Sequence, residues 1–451
     1  MSTVLERSSE RAPAVFDHPG SMRAFNTVWI GQTVSLLGSS MSGFALGVWV
    51  FVQTGSAVGF ALNLLLDMLP RALLSTFAGL LADRYDRRRI MMFADLGACL
   101  ATVAAALLFA GGKLLPWHVY LLTALDASAS AMQGPAFGAA ITQLVPKEKF
   151  GRANGMLQLG EAIGQIAAPV LAGMVFAAYG LATVLAIDMA TFLFAFSSLM
   201  AIRLPRLQAS GLDDASSHAN WTTQLAQAIR YLRPRQGLIG LMVLFAMVNF
   251  FVGVAEALLT PMVLLFTTPD VLGRIMTVGG LGMLIGSIAF TATGGGRRRI
   301  FVVFGGYAAL GTAVILAGSG PSADRIGAAV FLAFLAVPVV MGASQTILQA
   351  KIAPEIQGRV FGLRMALNTL AFAMAYPLSG WLADAVFEPF MASGSRLAGS
   401  IGGLIGFGPG RGMGLLFVLT GILAVVTALS ALALPRVRRV ELELPDWTNM
   451  G

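Results

Sequence analysis

Long stretches of this chain contain no charged residue, among them 26–66, 127–146, 236–255, 275–296, 300–323, 326–350 and 412–435. A helix needs ~20 apolar residues to cross the hydrocarbon of a bilayer, and a backbone in lipid must satisfy its own hydrogen bonds. These runs have that length. Charged residues make up only 12% of the chain, against 57% hydrophobic, and the mean hydropathy is +0.78. Too few charges remain to cover a soluble surface of this size. Disorder, collagen and a disulfide scaffold fail as well: the chain is apolar, its 52 glycines follow no triplet period, and Cys99 is its one cysteine. The remaining class is an all-α integral membrane protein.

Counting spans between charged or Gly/Pro-marked turns predicts twelve helices: 25–51, 57–81, 90–111, 117–143, 151–178, 181–203, 237–266, 270–294, 300–318, 326–350, 359–387 and 411–434. Residues 1–24 carry Glu6, Arg7, Glu10, Arg11, Asp17 and Arg23 and no separate apolar core, so a cytoplasmic tail is expected rather than a cleaved signal peptide. With that orientation, 24 of the 30 Lys and Arg residues fall on predicted cytoplasmic segments, five on outer segments, and Arg71 alone within a span. The net charge of +8 therefore reads as positive-inside anchoring on the lipid bilayer, and no nucleic-acid partner is expected.

The pattern repeats at half length. Arg87-Arg88-Arg89-Ile90 returns as Arg297-Arg298-Arg299-Ile300, and Gly151-Arg152 with Gly155 returns as Gly358-Arg359 with Gly362. Pro169 with Gly173 matches Pro377 with Gly380, and Leu204-Pro205-Arg206 matches Leu434-Pro435-Arg436 after an outer insertion, 388–410. Matches in register predict two six-helix halves, 25–206 and 237–435. Between them lies a polar cytoplasmic linker, 207–236. Within it Trp221, Leu225, Ala228, Ile229 and Leu232 share one helical face beside Arg230, Arg233 and Arg235, as in a helix lying on the membrane surface. Residues 436–451 form a short cytoplasmic tail.

The segment Gly79-Leu-Leu-Ala-Asp83-Arg84-Tyr85-Asp86-Arg87-Arg88-Arg89-Ile90 closely resembles the signature between the second and third helices of the major facilitator superfamily. The resemblance implies the major facilitator fold and transport by alternating access. It also implies a gating role for Gly79, Asp83, Arg84, Arg87 and Arg88, with the acid docking on the other half and the basic residues holding the outward-open state. Asp86 stands where the family usually has glycine. The N-terminal half further resembles the macrolide-efflux and enterobactin-exporter branch through Trp29-Ile-Gly31-Gln32, Thr54-Gly55-Ser56, Pro70, Asp95, Trp117-His118, Pro135-Ala136, Leu144-Val145-Pro146, Ala153-Asn154-Gly155 and Ile187-Asp188. In the fifth span Gly160, Gly164, Pro169 and Gly173 suit close helix packing, but Ala167-Ala168 depart from the strict antiporter glycine motif.

Ionisable groups inside the bilayer need a partner or a water-filled cavity. Asn63, Asp67 and Arg71 share a face of the second span, with Asp67 and Arg71 spaced for an ion pair; self-neutralisation and a role in the pathway both fit. Asp126, Ser130 and Gln133 align on the fourth span, and Asn154, Gln158, Glu161 and Gln165 on the fifth. Glu161, near the midplane with no opposite charge one turn away, is a candidate proton carrier, and replacement by Gln is expected to abolish or uncouple proton-driven transport. Asn249, Glu256 and Thr260 share a face of the seventh span, from which Glu256 can face Glu161 or Arg71. Asp95 and Asp188 occur where the branch commonly has Asp, and helix packing is the role expected for them.

Together these readings imply a monomeric, multi-pass transporter of the bacterial inner membrane with both termini cytoplasmic. It would export an amphipathic small molecule, macrolide-like or siderophore, driven by the proton gradient without a cofactor. A lysophospholipid flippase, a small-solute importer or facilitator, and a non-transporting receptor or scaffold are the alternatives. No enzyme is expected: His18, His118 and His218 lie in or beside loops, and there is no phosphate loop, metal cluster or nucleophile–base spacing.

Overall fold

A computed structural model describes residues 22–146, 149–202, 221–294, 296, 298–391, 402–403 and 405–443. The N-terminal tail to residue 21, with His18, the linker at 203–220, with His218, residues 392–401 and 404 of the insertion and the tail beyond 443 lie outside the described residues. Helix α1 spans Met22–Thr54, α2 Ala57–Arg84, α3 Arg87–Ala110, α4 Pro116–Ser130, α5 Gln133–Leu144 and α6 Phe150–Ala201. Helix α7 spans Trp221–Leu232, α8 Gln236–Leu264, α9 Pro269–Thr293, α10 Arg299–Gly318, α11 Ala323–Lys351 and α12 Pro354–Trp381; a π-helical turn, Leu382–Phe387, follows, and a last long helix covers Arg411–Ala433. Among the described residues there is no strand.

Among the described residues, ten helical stretches are long and apolar enough to cross a membrane. The predicted fourth span is in two pieces, α4 and α5, of 15 and 12 residues. The break at Ala131-Met132 precedes Pro135, which lacks the N–H that would continue the helix. The predicted fifth and sixth spans are joined in the 52 residues of α6, interrupted at Gly180, where φ is 78°. Only glycine takes that backbone without strain. The chain turns back there, as the packing on α1 demonstrates: Gly160 and Gly164 meet Thr33 and Leu36, whereas Gly31 and Gly38 meet Ser198 and Thr191. The first arm of α6 therefore runs parallel to α1 and the second antiparallel to it.

The turn between α1 and α2 follows from its residues. Thr54 Oγ1 donates back to Val50 O, Gly55 takes φ 64°, and Ser56 Oγ accepts from Gly59 N at 3.3 Å as the N-cap of α2. In the C-terminal half, α8, α10 and α11 bury one core with Ala228 and Leu232 of α7. The amphipathic helix is thereby docked on that half, with Ile229 and Arg230 exposed. The short C-terminal helices strap the same end. Glu441 Oε2 accepts from Ile300 N at the start of α10, Glu441 O accepts from Lys351 Nζ, and Val437 fills the space beside Gly240.

The halves meet where α2 packs on α12 and the first arm of α6 packs on α9. A Cβ on Gly380 would lie 2.7 Å from Val58 Cα, and one on Gly173 would lie 3.1 Å from Gly273 Cα. A hydrophobic cluster crosses the gap at the same end, placing Ala57, Phe44 and Val170 against Val254, Leu258, Met262 and Leu272. This is the end that carries the Thr54–Ser56 turn, remote from the arginine clusters.

Candidate functional site

On α2, Asn63, Asp67 and Arg71 follow at helical spacing toward Pro70. Arg71 Nη2 lies 2.8 Å from Asp67 Oδ1 and 3.8 Å from Asp126 Oδ2 on α4. The guanidinium thus holds two carboxylates from two helices. Side-chain exposures are 38% for Arg71, 46% for Asp67 and 21% for Asp126, although all three sit well inside their helices. Asn63 is turned inward, where its Oδ1 accepts from Thr123 Oγ1 at 3.0 Å.

Across from this cluster, Glu256 of α8 is exposed and its Oε2 accepts from the Tyr376 hydroxyl of α12 at 3.1 Å. Tyr376 packs with Ala61 and Ala257, against Leu64 and Met68, so this tyrosine joins α2, α8 and α12. Glu256 lies within electrostatic reach of Asp67. The arrangement is a polar cleft between the halves: an acid–base–acid cluster on one wall and a tyrosine-held carboxylate on the other. Asn249, two turns earlier on α8, donates to Asn368 Oδ1 at 3.1 Å.

Glu161, expected as an unpaired carboxylate within the membrane, is exposed, next to the Gly160 contact with Thr33. The side chains of its companions Gln158 and Gln165 lie outside the described residues. Gly160, Gly164 and Gly173 are each at a close helix approach, and Pro169 lies inside the first arm of α6.

The two aspartates expected to serve packing differ from each other. Asp95 is buried on α3 and fully engaged: Oδ2 accepts from Gln32 Nε2 at 3.2 Å and Oδ1 from Gln133 Nε2 at 2.5 Å. Both donors are side-chain amides, one from α1 and one from α5. Asp188 is buried on the second arm of α6; its Oδ2 accepts from Thr102 Oγ1 at 2.9 Å, while its Oδ1 has no partner.

In the gating motif, the side chains of Gly79, Asp83 and Arg84 lie outside the described residues. Asp86 caps α3, accepting from Arg88 N at 3.0 Å, so the residue that departs from the family's glycine has a helix-starting task. Arg88 reaches the end of α6, donating from Nε to Leu199 O at 2.9 Å and from Nη2 to Met200 O at 3.1 Å. Arg87 is half-buried.

Sequence reasoning missed four participants. Asp384 on the π-helical turn accepts hydrogen bonds from Ser56 Oγ and from the N–H groups of Ala57 and Val58. Tyr376 carries no signal of its own beyond lying one residue before Pro377. Arg364, assigned to a cytoplasmic segment by charge counting, is inside α12, its guanidinium 4.8 Å over the Phe245 ring and donating to Gln345 Oε1 at 3.0 Å. Its spacing from Pro354 places it almost three turns into the helix, the one cue available. Arg411, counted with the outer segments, is 0% exposed, over Phe266 and bonded to Ile405 O.

Known proteins agree with this architecture. The chain is 28% identical over 379 residues to macrolide efflux protein A of Streptococcus pyogenes, covering 83% of this chain and 93% of that one. It is 27% identical over 164 residues to the enterobactin exporter EntS of Citrobacter koseri, covering 35% and 38%. Its fold matches that of a bacterial homologue of the human lysosomal transporter Spinster, solved inward-facing and unoccupied, with a TM-score of 0.70 at 15% identity over 94% of this chain and 99% of that one. The family description Major Facilitator Superfamily matches residues 28–376. The chain is a multi-pass membrane transporter, not an enzyme, and belongs to the Major Facilitator Superfamily.

Proposed function

We propose that the protein is a secondary exporter that uses the proton gradient to move an amphipathic small molecule, of the macrolide or siderophore kind, out of a bacterial cell by alternating access. The observation that carries the reading is the charged cleft: Asp67, Arg71 and Asp126 on one half, partly exposed within their helices, and Glu256 on the other. Charged groups in mid-span are costly unless they serve a pathway, and a cleft with walls on two mobile halves is where a cargo contacts both. The relatives' printed activities, macrolide efflux and enterobactin export, support the direction and the substrate class.

The positive-inside pattern puts the Thr54–Ser56 end outside and the arginine clusters and both termini in the cytoplasm. On that reading the halves are closed at the outer side, and the structure corresponds to the cytoplasm-facing state. The exporter acts as a monomer in the inner membrane, with the bilayer and its substrate as partners and no cofactor.

The test is accumulation of radiolabelled erythromycin in cells with and without the protein, each with and without a protonophore. Lower accumulation that the protonophore abolishes supports the reading. Accumulation that only equilibrates faster, indifferent to the protonophore, identifies a facilitator and overturns it.

A further inference from the structure

A small chamber of about 30 Å³, partly open, lies inside the N-terminal half, apart from the cleft contacts of Glu256. That is room for one or two water molecules. Its polar wall comes from four helices: Ser39 and Ser42 on α1, Thr102 on α3, Thr123 and Asp126 on α4, and Asp188 on the second arm of α6. Asp67 of α2 completes it on the side of the cleft. The polar side chains of this wall are all oxygen groups, and apolar residues such as Leu46 and Leu122 fill the rest.

Two atoms in the wall are orphaned. Asp188 is 1% exposed and Ser42 4%, and neither Asp188 Oδ1 nor Ser42 Oγ closes a hydrogen bond of good geometry. An unpartnered carboxylate oxygen in an apolar interior is costly, and a bound proton removes that cost. The contrast with Asp95 sharpens the point. Asp95 is equally buried, but an amide donates to each of its oxygens, so neither is left without a partner. Asp126, between chamber and cleft, already faces Arg71.

We propose that Asp188 is the carboxylate that binds the transported proton, and that the chamber connects it through Asp126 and Asp67 to the cleft. This rests on the proton-driven reading above. Uptake forms an O–H bond at Asp188 Oδ1 as one breaks on a chamber water, which regains its proton by way of Asp126; release is the reverse. The groups facing Asp188 from its neighbours are Asp67 with Arg71 behind it on α2, Asp95, Cys99 and Thr102 on α3, Asp126 on α4, and the hydroxyls of α1. A proton fits better than a metal ion: among the described residues no group of three or more His, Cys, Asp or Glu is placed to hold one.

The experiment is infrared difference spectroscopy of the full-length protein in proteoliposomes while the pH is stepped, reading the carbonyl stretch of protonated carboxyl groups. The wild type should show a titrating buried carboxyl that Asp188→Asn lacks and that the surface variant Asp270→Asn retains. Thr102→Val, which removes a hydroxyl and no charge, should displace the midpoint and keeps the idea testable if Asp188→Asn fails to fold. An undiminished band in Asp188→Asn overturns the proposal. So does a stabilisation by sodium chloride over potassium chloride that vanishes in that variant, which would make the chamber a sodium site. Failure of the driving-force reading is separate: erythromycin efflux indifferent to a protonophore, with the Asp188 band present.

Discussion

Asp384 lies 2.7 Å from Ser56, across the boundary between the halves and 328 positions along the chain, and its carboxylate also accepts from the N–H groups of Ala57 and Val58 at 3.1 Å. A carboxylate from the C-terminal half thus caps the first turn of α2 in the other half, where unpaired N–H groups and the helix dipole favour a negative charge. One turn on, Glu388 accepts from Gly410 N and Met413 N at the start of the last long helix. Two acids from one short stretch therefore finish two helix starts, and only the Asp384 cap must break when the halves separate at this end.

Replacing Asp384 by Ala should weaken the closed state. Loss of a capping side chain costs about 0.5–2 kcal/mol, a shift of roughly 2- to 30-fold in the ratio of closed to open. Spin labels at Lys113 and Arg325, in a Cys99→Ser background, would read it as a growing long-distance population. An unchanged distance distribution would refute the latch.

Gly380→Ala places a methyl group against the backbone of Val58, which cannot yield as a flexible side chain does. Overpacking of this kind costs about 1–3 kcal/mol. The prediction is a folded protein, monodisperse by size exclusion, that populates the closed state roughly 5- to 150-fold less and transports poorly. Gly173→Ala, with its nearest contact at 3.1 Å, should act in the same direction but more weakly.

Arg71→Gln separates stability from function. The ion pair with Asp67 is more than a third exposed on both sides, so its contribution to folding should stay below about 1 kcal/mol. Thermal unfolding in detergent should change little while erythromycin efflux is lost, because Asp67 and Asp126 then face each other without a cation. Restored efflux in Arg71→Lys would assign the effect to charge; persistent loss would assign it to the guanidinium's two-sided reach.

Asp86 offers a stability test of the motif turn. Asp86→Ala should cost about 1 kcal/mol as an N-cap loss, whereas Asp86→Gly, the residue usual in the family, should cost only a few tenths. Equal losses in the two variants, by thermal melting, would mean that the side chain does something other than cap α3.

The membrane class and the positions of spans such as the ninth and the twelfth were legible because each depends on runs of residues along one helix. Lipid penalises a charge or a broken hydrogen bond wherever it falls, so the ends of Arg299–Gly318 or Arg411–Ala433 can be read residue by residue. The Asp67–Arg71 pair was legible for the same reason, being one turn apart. Where the reading needed a third dimension it left roles open: Glu161 is exposed on its helix, and Asp188, expected to serve packing, is buried with one oxygen that lacks a hydrogen-bond partner.

By itself, then, the sequence determined a polytopic helical transporter with a positively charged side, since hydropathy and charge are properties of segments. The tertiary structure decided which acids act together. Whether Asp126 meets Arg71, or Asp384 meets Ser56, depends on the rotation and depth of helices distant in sequence, set by glycine contacts such as Gly31 on Ser198 and Gly380 on Val58. Shifting a helix by one residue turns its side chains by ~100° at almost no change in hydropathy, so no linear pattern records which way a carboxylate points.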